Sequence, residues 1–168
     1  RQMCIRDRMR NLPNGIDQRS ACRHPDWTGP DDLEIKIIEL REITQWKIPI
    51  FVKIGATRPF YDTSLAIKAG ADAIVIDGMQ GGTAATQDIF IAHVGIPTLA
   101  CIRSSVEALQ EQNLHRQVQL IVSGGIRNGA DVAKALALGA DAVSIGTAAL
   151  IALGDNDPKW EKEYKNLG

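Results

Sequence analysis

The segment Ala69-Gly70-Ala71-Asp72-Ala73-Ile74-Val75-Ile76 recurs further along the chain as Leu138-Gly139-Ala140-Asp141-Ala142-Val143-Ser144-Ile145. Each copy reads as a helix end, a glycine turn and the start of a strand. The glycine can take the left-handed conformation that ends a helix, and the aspartate is expected to hold the short loop by bonding its own backbone. A chain that passes twice from helix to strand through one such turn is an α/β chain. Apolar runs at residues 48–54, 73–76, 98–102, 119–122 and 142–145 predict five strands, each beginning one compact strand–helix unit after the last. Several are apolar on both faces, which suits a parallel sheet covered by helices. The expected fold is a TIM-type (β/α)8 barrel, with a doubly wound sheet as the structural competitor. A whole barrel takes about 250 residues, and this chain has 168. The visible units are therefore read as the later strands, the C-terminal part of a barrel whose earlier strands lie upstream.

The intervening segments carry helix punctuation. Thr28 can N-cap a first helix, with Pro30 in its opening turn, Asp31 at the capping-box position, and Leu33, Ile37 and Leu40 on one face. A second clear helix spans residues 131–138, with Val132, Ala135 and Leu136 inward and Gly139 as the stop. Residues 1–8, RQMCIRDR, show no periodicity and lead into nothing that follows. They are set aside as a non-native or disordered leader, leaving 9–168 as the partial barrel domain.

Composition narrows the function classes. A net charge of −1 offers no basic field for nucleic acid. No apolar run reaches the roughly 20 residues of a membrane span, and no secretory signal is visible. Cys4, Cys22 and Cys101 are scattered without metal-ligand spacing, which fits reduced thiols in the cytoplasm.

The strongest chemical feature is a pair of glycine turns at successive strand ends. Ser123-Gly124-Gly125-Ile126-Arg127-Asn128-Gly129 follows one strand, and Gly146-Thr147 follows the next and opens a short helix. In barrels a phosphate commonly sits at the last two strand ends, held by free backbone N–H groups. Glycine lets the backbone reach the phosphate oxygens, and Thr147 adds a hydroxyl donor. Ser123, Gly124, Gly125, Gly146 and Thr147 are thus candidate phosphate ligands. Arg127 is either a further ligand or a solvated loop residue. Lys53 stands in an otherwise apolar strand, where a lone ammonium is costly unless a ligand or an acid pairs with it.

These segments, with Pro49-Ile50-Phe51-Val52-Lys53-Ile54 and Asp77-Gly78-Met79-Gln80-Gly81-Gly82-Thr83, resemble the FMN-binding domain of glutamate synthase over about residues 20 to 160. The resemblance implies FMN as cofactor and places Lys53 beside the flavin as its catalytic and cofactor-binding cation. It places Gly81, Gly82 and Thr83 near the 2-oxo acid substrate, with Asp77 bracing that loop. The implied reaction is reductive amination of 2-oxoglutarate through an imine, with ammonia or methylamine as donor and glutamate or N-methylglutamate as product. Amidotransferase-like and glutamate-synthase C-terminal-like subunits are the implied partners.

Two departures from the family pattern matter. Asp155 stands where the family begins a three-cysteine motif, so an iron–sulfur cluster is not supported by the cysteines present. Ser104 stands where the family usually places a glutamate. The run Ala149-Leu150-Ile151-Ala152-Leu153-Gly154-Asp155 is similar to the alkylamine-using branch, methylamine–glutamate N-methyltransferase. His24 and Asp26 match a His-Asp pair of the family loosely, and His93 and His115 are read as ordinary surface or helix residues. Two other readings stand beside this one. A barrel binding a phosphorylated substrate, as in a nucleotide dehydrogenase, would need Cys101 as nucleophile; a truncated, non-catalytic subunit would need no site.

Overall fold

The computed structural model describes residues 24–81, 88–154 and 157–159. The leader, Cys4, Cys22, Gly82, Thr83 and Asp155 lie outside the described residues. Among the described residues run, in chain order, α1 (Pro30–Ile43), β1 (Phe51–Gly55), α2 (Pro59–Lys68), β2 (Ala73–Asp77), α3 (Asp88–His93), α4 (Thr98–Glu111), β3 (Gln119–Ser123), α5 (Gly129–Ala137), β4 (Ala142–Ser144) and α6 (Thr147–Ala152). The four strands form one parallel sheet in the order β1-β2-β3-β4. A doubly wound sheet must reverse its strand order at a switch point. This sheet advances one strand at a time, as a β/α barrel does.

Register sets the two faces of the sheet. Ile54, Ile76, Val122 and Val143 pair across it in one row, and Ile74 pairs with Leu120 in the row below. This face packs on Ile67 of α2, on Ile102, Val106 and Leu109 of α4, and on Ala135 of α5. Each large aliphatic side chain buried there contributes about 1.5–3 kcal/mol over its exposed state. The opposite face carries Phe51, Lys53 and Val75 and is not covered by helices among the described residues; Phe51 is 55% exposed. This one-sided helix cover fits the expected barrel, which turns its second face to its own interior.

The expected strand at residues 98–102 is instead the first turn of α4. Its buried residues, Cys101, Ile102, Ser105, Val106 and Leu109, follow a helical period that only a longer window shows. At α1, Gly29 rather than Thr28 is the N-cap and makes no side-chain cap bond; the Thr28 N–H and hydroxyl both donate to Asp32. Ile37 is the buried residue of that helix, while Leu40 is exposed. Leu136, expected inward on α5, is 44% exposed.

The repeated aspartates bond the backbone of the neighbouring strand segments rather than that of their own loops. Asp72 N–H donates to Ile50 O (2.9 Å), and Ile50 N–H donates to Asp72 Oδ2 (2.7 Å). Asp141 makes the same exchange with Leu120, at 2.8 Å in both directions. Each aspartate thus staples the start of its own strand to the neighbouring one, and each is paired with an arginine, Arg41 or Arg116. Gly70 (φ +93°) and Gly139 (φ +113°) make the left-handed turns that deliver these aspartates.

Burial pushes the Asp72 carboxyl up, but hydrogen bonds from Arg41 and Ile50, with the Arg41 charge, outweigh it and hold the group below its usual value. A carboxyl depressed by folding stabilises the fold fully above its unfolded value of about 3.9, and that stability is lost as pH falls through the lower folded value. Urea midpoints are expected to stay level down to about pH 5 and then fall. Asp72→Asn, which keeps an oxygen for Ile50 N–H, should make the acid fall shallower. A fall of undiminished depth in that variant removes Asp72 as its cause.

Candidate functional site

The strands end level, with Gly55, Asp77, Ser123 and Ser144 side by side at the C-terminal edge of the sheet. The loops that leave this edge enclose a cavity of about 750 Å³, within the roughly 300–1,000 Å³ of small-molecule sites. Lys53, Gly81, Ser123, Gly124, Gly125, Arg127, Gly146 and Thr147 all line it. Eight residues singled out from sequence therefore meet at one site. Gly82 and Thr83 lie outside the described residues.

The β3–α5 turn is fixed from several sides. Gly124 and Gly125 have φ of +98° and +70°, conformations that side chains disfavour. Thr98, buried at the start of α4, shares its hydroxyl hydrogen between the carbonyls of Ser123 (3.0 Å) and Gly124 (2.7 Å). Asn128 caps α5 by accepting from the N–H groups of Ala130 and Asp131. Among the described residues, no group accepts from the N–H of Gly124, Gly125 or Ile126, nor from the N–H of Thr147 or Ala148 at the start of α6. At least five backbone donors without an acceptor among the described residues thus belong to residues lining one cavity.

Lys53 reaches along its strand face to Asp77, with Nζ 3.0 Å from Oδ2. The Lys53 side chain is 62% exposed, so the ammonium is not the desolvated charge expected of an apolar strand, and Asp77 pairs with it at the cavity wall. Asp77 also lines the cavity, so its place is in the wall rather than only in the loop it was expected to brace. Its Oδ1 is buried without a hydrogen-bond partner. The Arg127 guanidinium is drawn back onto α5, with Nε 3.0 Å from Asp131 Oδ2, while the rest of the side chain is largely exposed. That bond, with the backbone bond from Arg127 and the Arg127 charge, holds the Asp131 carboxyl below its usual value, and the same bond with the Asp131 charge raises Arg127 above its own.

Gln80, Ser144 and Ile126 also line the cavity without having been singled out. Ser144 carried a legible signal, since it ends the strand beside the one that Ser123 ends. The fixing of Gln80 by Thr98 N–H is tertiary and had none. Cys101 lies on α4, fully buried, and burial pushes its thiol up to about 11. That thiol is no nucleophile near neutral pH, which removes the chemistry the nucleotide-dehydrogenase reading needed. Ser104, His93 and His115 lie away from the cavity. His115 is half-buried with Nε2 unpartnered, not the ordinary surface residue expected. Asp26 N–H donates to His24 Nδ1, and the His24 ring stacks on Trp27 at 3.8 Å. No described helix is long and apolar enough to cross a membrane.

Residues 6–157 match the family model described as a conserved region in glutamate synthase. The chain is 78% identical over 160 residues to a glutamate synthase large subunit-like protein of Rhizobium meliloti, covering 95% of this chain and 36% of that protein. It is 47% identical to the archaeal NADPH glutamate synthase of Methanocaldococcus jannaschii, covering 86% of this chain and 29% of that one. The chain thus spans about a third of the length of these relatives. Among solved structures, a mutant flavocytochrome b2 with pyruvate bound is similar with a TM-score of 0.54 and 27% identity, covering 86% of this chain and 31% of the other. A GMP reductase variant from Trypanosoma brucei has the same TM-score at 26% identity, covering 70% of this chain and 25% of the other.

Proposed function

Because the chain belongs to the glutamate synthase family, we propose that the cavity at the C-terminal strand edge binds FMN and serves the reductive amination of 2-oxoglutarate through an imine. The observation that carries this reading is the set of five unpaired N–H groups on two turns of one cavity. Such donors match the oxygens of a phosphate monoester, and the wall itself contributes a single carboxylate, Asp77, already paired with Lys53. Gly146 supports the same assignment. A Cβ built there would meet nothing within 4 Å, so packing does not demand a glycine. Close approach of a ligand to the backbone accounts for it.

In this arrangement the two turns hold the phosphate, with Ser123 and Thr147 as hydroxyl donors. Lys53 contributes a cation beside the ring system, and Asp77 fixes its position. Gly81, with Gly82 and Thr83, is assigned to the substrate by the family resemblance. Bound FMN would supply the two electrons that reduce the imine. The finer reading takes methylamine as donor and N-methylglutamate as product, in a cytoplasmic enzyme assembled with amidotransferase-like and C-terminal-like subunits. It is supported by Asp155, which stands where the family's cluster cysteine begins.

The test uses the intact protein. It is expected to purify yellow or, once stripped, to take up one FMN per chain with quenching of flavin fluorescence. A colourless protein that takes up no flavin overturns the proposal. With flavin bound, supplying methylamine or ammonia alongside 2-oxoglutarate and identifying the amino-acid product decides the donor.

A further inference from the structure

Gln80 lies in the loop after β2 and lines the cavity with an exposed side chain. Its side chain makes one hydrogen bond, accepted by Oε1 from Thr98 N–H at 2.9 Å. The donor is a backbone N–H, so the partner atom has to be the amide oxygen, and the orientation of the carboxamide is fixed chemically. The side chain is also pressed against the β3–α5 turn. A Cβ on Gly125 would lie 3.0 Å from Gln80 Cβ and Cδ and 3.1 Å from Oε1. With the oxygen bonded to Thr98 N–H, the NH2 group is the part of the carboxamide that this contact does not use. Among the described residues nothing accepts from it.

We propose that Gln80 is a positioning residue whose carboxamide NH2 donates to a carboxylate oxygen of the 2-oxo acid substrate. This rests on the function proposed above and adds a residue and a contact to it. Thr98 ties the carboxamide to the start of α4 and Gly125 limits its swing, so the donor is set before substrate arrives. Gln80 Nε2 is a donor with no acceptor among the described residues, which suits the oxygen of a carboxylate.

The test uses the intact, FMN-loaded protein and follows flavin absorbance as 2-oxoglutarate is added without an amine. Gln80→Glu keeps an oxygen for Thr98 N–H, so the local fold is retained, but it replaces the donor with a negative charge. Gln80→Leu removes donor and acceptor together. Losing a hydrogen bond to a charged group is expected to raise the 2-oxoglutarate Kd about ten- to a hundredfold in Gln80→Leu, and further in Gln80→Glu. FMN affinity should stay within about twofold of the parent in Gln80→Leu, which puts no charge beside the Gly125 turn. A 2-oxoglutarate Kd unchanged in Gln80→Glu overturns the proposal while leaving FMN binding standing. A loss of FMN affinity with no change for 2-oxoglutarate also overturns it, because it moves the contact to the cofactor. A parent protein that holds no FMN defeats the underlying function instead.

Discussion

Gly78→Ala is expected to lower the stability of the fold by about 3 kcal/mol or more, at the upper end of what overpacking a core costs. A Cβ at position 78 would lie 2.0 Å from Thr98 Oγ1, 2.6 Å from Thr98 N and 2.7 Å from Thr98 Cα. Two of those atoms are backbone, so no rotamer change relieves the clash, and α4 or the β2 loop has to move. Neither moves freely. Gly78 N–H donates to Ser123 O at 2.9 Å, and the Thr98 hydroxyl holds the carbonyls of Ser123 and Gly124. The loops after β2 and β3 and the start of α4 thus form one knot beneath the cavity. The measurement is a urea denaturation of Gly78→Ala beside Gly129→Ala. A Cβ at position 129 would meet nothing within 4 Å, so that variant should stay within about 1 kcal/mol of the parent. Equal midpoints for the two variants would mean that the knot does not hold the fold.

That knot shows where sequence reading stops. The repeat around Gly70-Ala71-Asp72 and Gly139-Ala140-Asp141 was legible because both copies obey one local rule of glycine turn and strand entry. The partner of each aspartate was not, since Ile50 and Leu120 become its neighbours only when strands pair. The run at residues 98–102 is apolar and short, and over that window a buried strand and a helix turn look alike. Ser105, Val106 and Leu109 continue the buried face and settle it as α4. Pro97, the N-cap of that helix, was the available start signal.

At the site, the glycines were legible because few other roles explain two such turns one strand–helix unit apart. Lys53 stood out as a charge in an apolar strand. Its partner Asp77 and the fixed carboxamide of Gln80 depend on how β1, β2 and α4 are assembled. They belong to packing rather than to motif, and a single sequence holds no period or spacing that reveals them.

Gly146→Asp is expected to weaken FMN binding by roughly a hundredfold or more while leaving the fold within about 1 kcal/mol of the parent. The fold should tolerate it because a Cβ at position 146 meets nothing within 4 Å. The ligand should not, because the new carboxylate enters the cavity beside the unpaired N–H groups of Thr147 and Ala148. Two like charges about 5 Å apart at a protein surface repel by roughly 3 kcal/mol at an effective dielectric constant near 20. That is about a hundredfold in Kd, and a doubly charged phosphate would feel more. Gly146→Ala separates the steric part from the charge and should cost about tenfold, because a methyl group alone keeps the backbone off the phosphate oxygens. The penalty on Gly146→Asp should shrink as salt is raised, while that on Gly146→Ala should not. Fluorescence titration of FMN at two salt concentrations reads all three quantities. If Gly146→Asp binds FMN as tightly as the parent, the phosphate does not lie at this turn, and the five unpaired donors of the cavity need another occupant.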